Sequence, residues 1–140
     1  MNMYIPIIIV VLSNAFYHIF AKSTPTNLNP FASLSITYVI GAIVSVILFF
    51  TTTKNSNLFV EYGKLHWSSF ALGIAIVGLE AGFLLMYRAG WNISTGQVIS
   101  SIALAFVLVL IGSLFYNETI TINKIAGILV CMLGLYLINK

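Results

Sequence analysis

Five apolar runs, each about as long as a bilayer is thick, partition this chain. They cover residues 3–21, 31–51, 68–89, 95–116 and 122–138, and about 20 mostly apolar residues are needed to cross ~30 Å of hydrocarbon. The last run, at 17 residues, sits at the short limit. Turn chemistry separates them: Ser23-Thr24-Pro25-Thr26-Asn27-Leu28-Asn29-Pro30, then Lys54-Asn55-Ser56-Asn57, Gly90-Trp91-Asn92 and Asn117-Glu118-Thr119. Thr121 is placed to cap the last helix. The period-2 alternation of a membrane barrel is missing. The sequence predicts an all-α integral membrane bundle of five transmembrane helices, forming a single membrane domain over residues 1–140.

Composition closes off other classes. The chain is 60% hydrophobic and 6% charged, outside the range of soluble globular proteins. A net charge of +3 spread over loops gives a nucleic acid nothing to bind. The single cysteine, Cys131, lies in an apolar run and excludes an intrachain disulfide. No His/Cys/Asp cluster has metal-ligand spacing, and neither a nucleophile–base pair nor a phosphate-binding glycine loop is present. The expectation is a protein that is not an enzyme and carries no cofactor. The first run lacks a preceding basic region and a following small-residue cleavage pattern, so it is expected to remain as a span.

Glu80 is the acidic residue placed inside a span. It lies within about two residues of the middle of the 68–89 run, where a charged side chain costs roughly 2.5–3.5 kcal/mol to insert. Such a group needs a partner, water or a proton. It is the first candidate for binding a substrate or a proton. Gly78 and Gly82 flank it as a small-xxx-small pair that admits a close helix neighbour. In the last run, Gly127, Cys131 and Gly134 form a second small-residue face suited to helix packing or a dimer contact. Glu118 reads as a turn residue near the start of the last helix, where negative charge is favourable.

The remaining polar residues are unevenly distributed. With five spans, the N-terminal side holds Lys54, Lys64 and Lys124, and the opposite side holds Lys22, Arg88 and Lys140. The Lys/Arg excess that normally sets orientation is absent. Either the chain has too few charges to show a bias, or it inserts both ways up. Asn14, Tyr17, His18 and Lys22 cluster toward the second side, with Asn14, His18 and Lys22 on roughly one helical face. Tyr87 and Arg88 approach the same side, as do Gln97, Ser100 and Ser101. Asn14, Tyr17, His18, Tyr87, Gln97 and Ser101 are therefore candidates to line a wet vestibule floored by Glu80, while the other half of the bundle is apolar. His18 is a candidate proton relay; Arg88 and Lys22 read as anchors of helix ends at the interface.

From its third span onward the chain resembles the EamA-type members of the drug/metabolite transporter superfamily. The resemblance rests on Tyr87-Arg88-Ala89-Gly90 closing the third span, a small-residue-rich fourth span, Asn117-Glu118-Thr119, and Gly127 with Gly134. The chain departs from the common pattern in lacking a proline near Ile102-Ala103. Family members usually have ten spans built as two inverted five-span repeats, so this chain resembles a single repeat that dimerisation completes to ten helices. Inverted repeats place substrate near the midplane. The small multidrug resistance proteins, a related branch, imply an upside-down pairing with one buried glutamate per chain.

The expectation is thus a transporter protomer in a bacterial inner membrane. It would move a small cationic, zwitterionic or metabolite solute by proton-coupled alternating access as an antiparallel homodimer. The alternatives are one half of a heterodimeric transporter, or a non-transporting subunit serving lipid-carrier translocation.

Overall fold

The computed structural model describes residues 4–53, 57–119 and 121–138. Lys54 and Lys140 of the charge count, and the first residue of the 3–21 run, lie outside them. Backbone polar groups have no water to turn to in hydrocarbon, so each apolar run satisfies its own as a helix. The elements are α1 (Ile5–Ser23), α2 (Pro30–Thr52), α3 (Leu58–Tyr62), α4 (Trp67–Arg88), α5 (Ile93–Phe115) and α6 (Ile122–Ile138). The five long helices begin and end within two residues of the expected spans.

Local chemistry explains the boundaries. Pro30 occupies the first turn of α2, where its missing N–H costs nothing, and the Asn29 side chain accepts the Phe31 N–H at 2.9 Å. Thr121 caps α6 through a 3.3 Å bond from the Lys124 N–H. The five-residue helix α3 was not expected; it forms because Asn57 accepts the Phe59 N–H at 3.0 Å. Among the described residues, α1, α2, α4 and α5 are long and apolar enough to cross a membrane. Helix α6, at 17 residues, rises about 26 Å.

The chain divides into two compact units, 1–88 and 89–140. In the first, α4 packs against both α1 and α2; in the second, α5 packs against α6. The buried positions of the first unit are few: His18, Ala21, Leu34, Ala81, Leu84 and Tyr87. Large apolar side chains such as Phe20, Ile74 and Leu79 are exposed, as expected where the surroundings are lipid and not water. Hydroxyls in the spans bond backwards to their own helix: Thr37 to the Ser33 carbonyl at 3.1 Å and Ser45 to that of Gly41 at 2.8 Å. That makes them tolerable in hydrocarbon.

The α5–α6 connection is held by contacts around Gly112 and Glu118. The Gly112 carbonyl accepts the Tyr116 and Glu118 N–H groups at 3.1 and 3.0 Å. The Glu118 carboxylate folds back over Gly112, so close that a Cβ there would stand 3.1 Å from it, and pairs with Lys124 at 3.2 Å. The turn residue reading of Glu118 is the observed one. Asn117 turns the chain with φ +52°, a left-handed conformation that asparagine tolerates and β-branched residues do not. Asn117→Val is expected to lower stability by about 1–2 kcal/mol, with Asn117→Gly close to neutral. Thermal unfolding of the purified protein checks this, and equal midpoints for all three would contradict it.

Candidate functional site

Helix α4 carries Glu80, Phe83, Leu84 and Tyr87 at helical spacing, so one stripe of the helix gathers them. Around that stripe stand Tyr17 and His18 from α1. The His18 ring packs edge-on against Phe83 at 4.7 Å between centroids, and Tyr17 does the same at 5.9 Å. His18, 4% exposed, lies deep in the unit, and its Nδ1 is hydrogen-bonded to the Tyr87 hydroxyl at 2.7 Å. Tyr87 is nearly as buried, and the Lys22 ammonium sits 5.6 Å over its ring in a cation–π contact.

Glu80 is half-buried, and its Oε2 is enclosed. The Tyr38 hydroxyl, from α2, lies within interaction range of the carboxyl. Neither Tyr38 Oη nor Glu80 Oε2 makes a hydrogen bond of regular geometry among the described residues. Tyr17 is also within electrostatic reach of the carboxyl. The phenols nearest Glu80 thus come from two other helices, and the bonded His18–Tyr87 pair lies further along α4 toward its end.

Arg88 terminates that end. Its guanidinium donates to the Pro25 carbonyl at 3.3 Å and to the Leu28 carbonyl. Both carbonyls belong to the α1–α2 connection, so Arg88 ties this loop to the end of α4. That is a more specific task than anchoring at the interface. It stands eight residues from Glu80, about 12 Å of helix rise, and the two residues serve different places.

The other expected site residues fall elsewhere. Asn14 is exposed on α1, one turn before His18, and joins none of these contacts. Gln97 and Ser101 lie on α5 in the second unit, bonded to each other at 3.2 Å, with Gln97 Oε1 enclosed. Ser101, Gly127 and Cys131 line a groove of about 810 Å³ between α5 and α6. Among the described residues, no neighbour comes within 4 Å of a Cβ built on Gly78, Gly82, Gly127 or Gly134. Their faces stay open among the described residues. Two contributors were not anticipated. Phe83 was legible in principle, being three residues past Glu80 and four before Tyr87. Tyr38 follows Leu34 by one turn on the face of α2 that is buried, but nothing in the sequence marks that face as inward.

The Tyr87–His18 bond, 2.7 Å long and buried, joins α4 to α1. Removing the hydroxyl with Tyr87→Phe deprives a buried imidazole of its acceptor–donor partner, and stability is expected to fall by about 1–3 kcal/mol. Denaturant or thermal unfolding in detergent checks it; an unchanged midpoint would show that the bond contributes nothing.

The EamA-like transporter family model matches residues 1–140. No curated protein and no solved structure gives a significant match. A match along the whole chain, joined to helices of membrane-crossing length and apolar exterior, identifies the class: the chain belongs to the EamA-like transporter family and is an integral membrane protein.

Proposed function

We propose that the protein is a transporter protomer that moves a small organic solute, cationic or zwitterionic in preference, by proton-coupled alternating access. The observation that carries this reading is Glu80, a carboxyl inside a 22-residue apolar helix with the phenols Tyr17 and Tyr38 near it and, among the described residues, no ion pair. A carboxyl so placed can hold a proton or a positively charged group, but not both. Each occupant then drives out the other, which is the logic of exchange. We assign the proton route to His18 and Tyr87, which share a 2.7 Å hydrogen bond on the α1 and α4 faces that meet beyond Glu80.

A dimer completes the device in this reading. With α6 as a fifth span, two copies inserted in opposite senses rebuild the inverted pair that puts a site near the midplane and opens it to each side in turn. The balanced count of basic residues supports opposite insertion. The open glycine faces around Gly78 and Gly82, and along α6, are the surfaces we assign to helix–helix contact. Gln97 and Ser101 contribute a separate polar pair for the solute. A heterodimer with a partner of fixed, opposite orientation would use the same site. A non-transporting subunit in lipid-carrier translocation would not need it.

In reconstituted liposomes, wild type is expected to give solute-dependent, pH-linked flux that Glu80→Gln abolishes, a fall of at least about 100-fold if the carboxyl is the exchanging group. A mutant that transports at the wild-type rate across pH would end the proton-exchange mechanism. Reporters fused to the C-terminus are expected to signal from both sides of the membrane. Signal from one side alone favours the heterodimer.

A further inference from the structure

The groove between α5 and α6 is polar at one end and apolar along its length. Its mouth, where α5 ends and α6 begins, is lined by Tyr116, Glu118, Asn123 and Lys124. Behind the mouth run Ile102, Ala105, Leu108, Gly127 and Cys131. The ends of membrane spans stand at headgroup depth, so a polar mouth and an apolar trough follow the layers of a bilayer. From Ser101 to Gly112 the lining of α5 rises about 17 Å. Spread over that length, 810 Å³ leaves a channel roughly 50 Å² in section, against about 80–110 Å² for a helix 10–12 Å across. The space suits extended methylene chains better than it suits another helix. Its floor is open at Gly127, where a built Cβ meets nothing within 4 Å among the described residues.

We propose that this groove binds a phospholipid with an ethanolamine headgroup, its acyl part in the trough and its headgroup on Lys124 and Glu118. The charges at the mouth decide the class. The Lys124 ammonium and the Glu118 carboxylate stand 3.2 Å apart, so the mouth carries one charge of each sign. An anionic headgroup would satisfy the lysine and repel the carboxylate. A phosphoethanolamine brings a phosphate for Lys124 and an ammonium for Glu118. Lys124 has three N–H donors, and its pair with Glu118 uses one. The N-terminus of α6 opens at the same place and favours the phosphate charge. On the other side, a primary ammonium donates N–H to the carboxylate in a charge-assisted bond. A choline headgroup has the charge and no N–H to give. The Lys124 and Glu118 side chains are 42% and 60% exposed, so turning toward a headgroup costs them little. Gly127 belongs to the α6 face assigned above to helix–helix contact. A lipid seated there leaves that contact to Gly134, Gly78 and Gly82, and the site is independent of Glu80 and of the transport mechanism.

Native mass spectrometry of the full chain in detergent, titrated with dioleoyl phosphatidylethanolamine, phosphatidylcholine or phosphatidylglycerol, counts the lipids bound per chain. One ethanolamine lipid is expected to bind about tenfold tighter than either of the others. Glu118→Gln is expected to remove the preference for ethanolamine over choline, and Lys124→Gln to weaken all three lipids about three- to tenfold. Gly127→Leu places a side chain in the open trough and is expected to weaken all three by at least about tenfold. Circular dichroism establishes that each variant keeps its helices. Equal binding of the three lipids to wild type overturns the proposal, whatever the variants do. A helical Gly127→Leu that binds lipid like wild type overturns it as well; a shift from dimer to monomer in the same spectra would then identify a second copy as the occupant of the groove.

Discussion

A carboxyl group inside an apolar helix cannot be left alone, and this constraint organises the first unit of the structure. Among the described residues Glu80 takes part in no ion pair; its neighbours are the phenols Tyr17 and Tyr38. Paired with a lysine or arginine, it would be a fixed structural ion pair, costly to open once desolvated. Among phenols it would, in the transport mechanism proposed above, remain available to an occupant that arrives and leaves. Three helices must converge to build such a place, which is why α4 packs on both α1 and α2. The few buried residues of the unit, His18, Leu84 and Tyr87 among them, lie on the faces that converge.

The rest of the unit supports that convergence. The Tyr87–His18 bond joins α4 to α1 through the interior, and Arg88 ties the α1–α2 loop to the end of α4. In lipid, apolar surface gives little drive for one helix to choose another. Aromatic contacts around His18 and Phe83, together with these polar ties, therefore do most of the selecting. The second unit follows the same rule on a smaller scale, with Glu118, Gly112, Asn117 and Lys124 fixing the turn that joins α5 to α6.

How far this was legible in the sequence depended on which physical signal each feature leaves. Helices of bilayer length are announced by apolar runs, because hydrocarbon allows a chain no other open choice; their bounds fell within two residues of expectation. Glu80 stood out because charge is so rare there, Tyr87 because it follows Glu80 by seven residues on one helical face, and Tyr17 and His18 because polar residues cluster toward one end of the first span. Tyr38 and Phe83 escaped, since an aromatic residue in an apolar run looks the same whether it faces lipid or a neighbour. Asn14 was drawn in by its spacing from His18, but its face of α1 is exposed. Helix α3 was hidden because five residues are too few to show a period. Gly112 was hidden because its partner, Glu118, approaches only after the chain has turned.

The central claim is that Glu80 changes its protonation when solute arrives. Infrared difference spectroscopy on reconstituted protein reads this directly, through the C=O stretch of a protonated carboxyl, with Glu80→Gln identifying the band. The account predicts that adding transported solute removes that band in wild type and leaves the mutant spectrum unchanged. A wild-type spectrum with the band unaltered by a solute shown to be carried would contradict it.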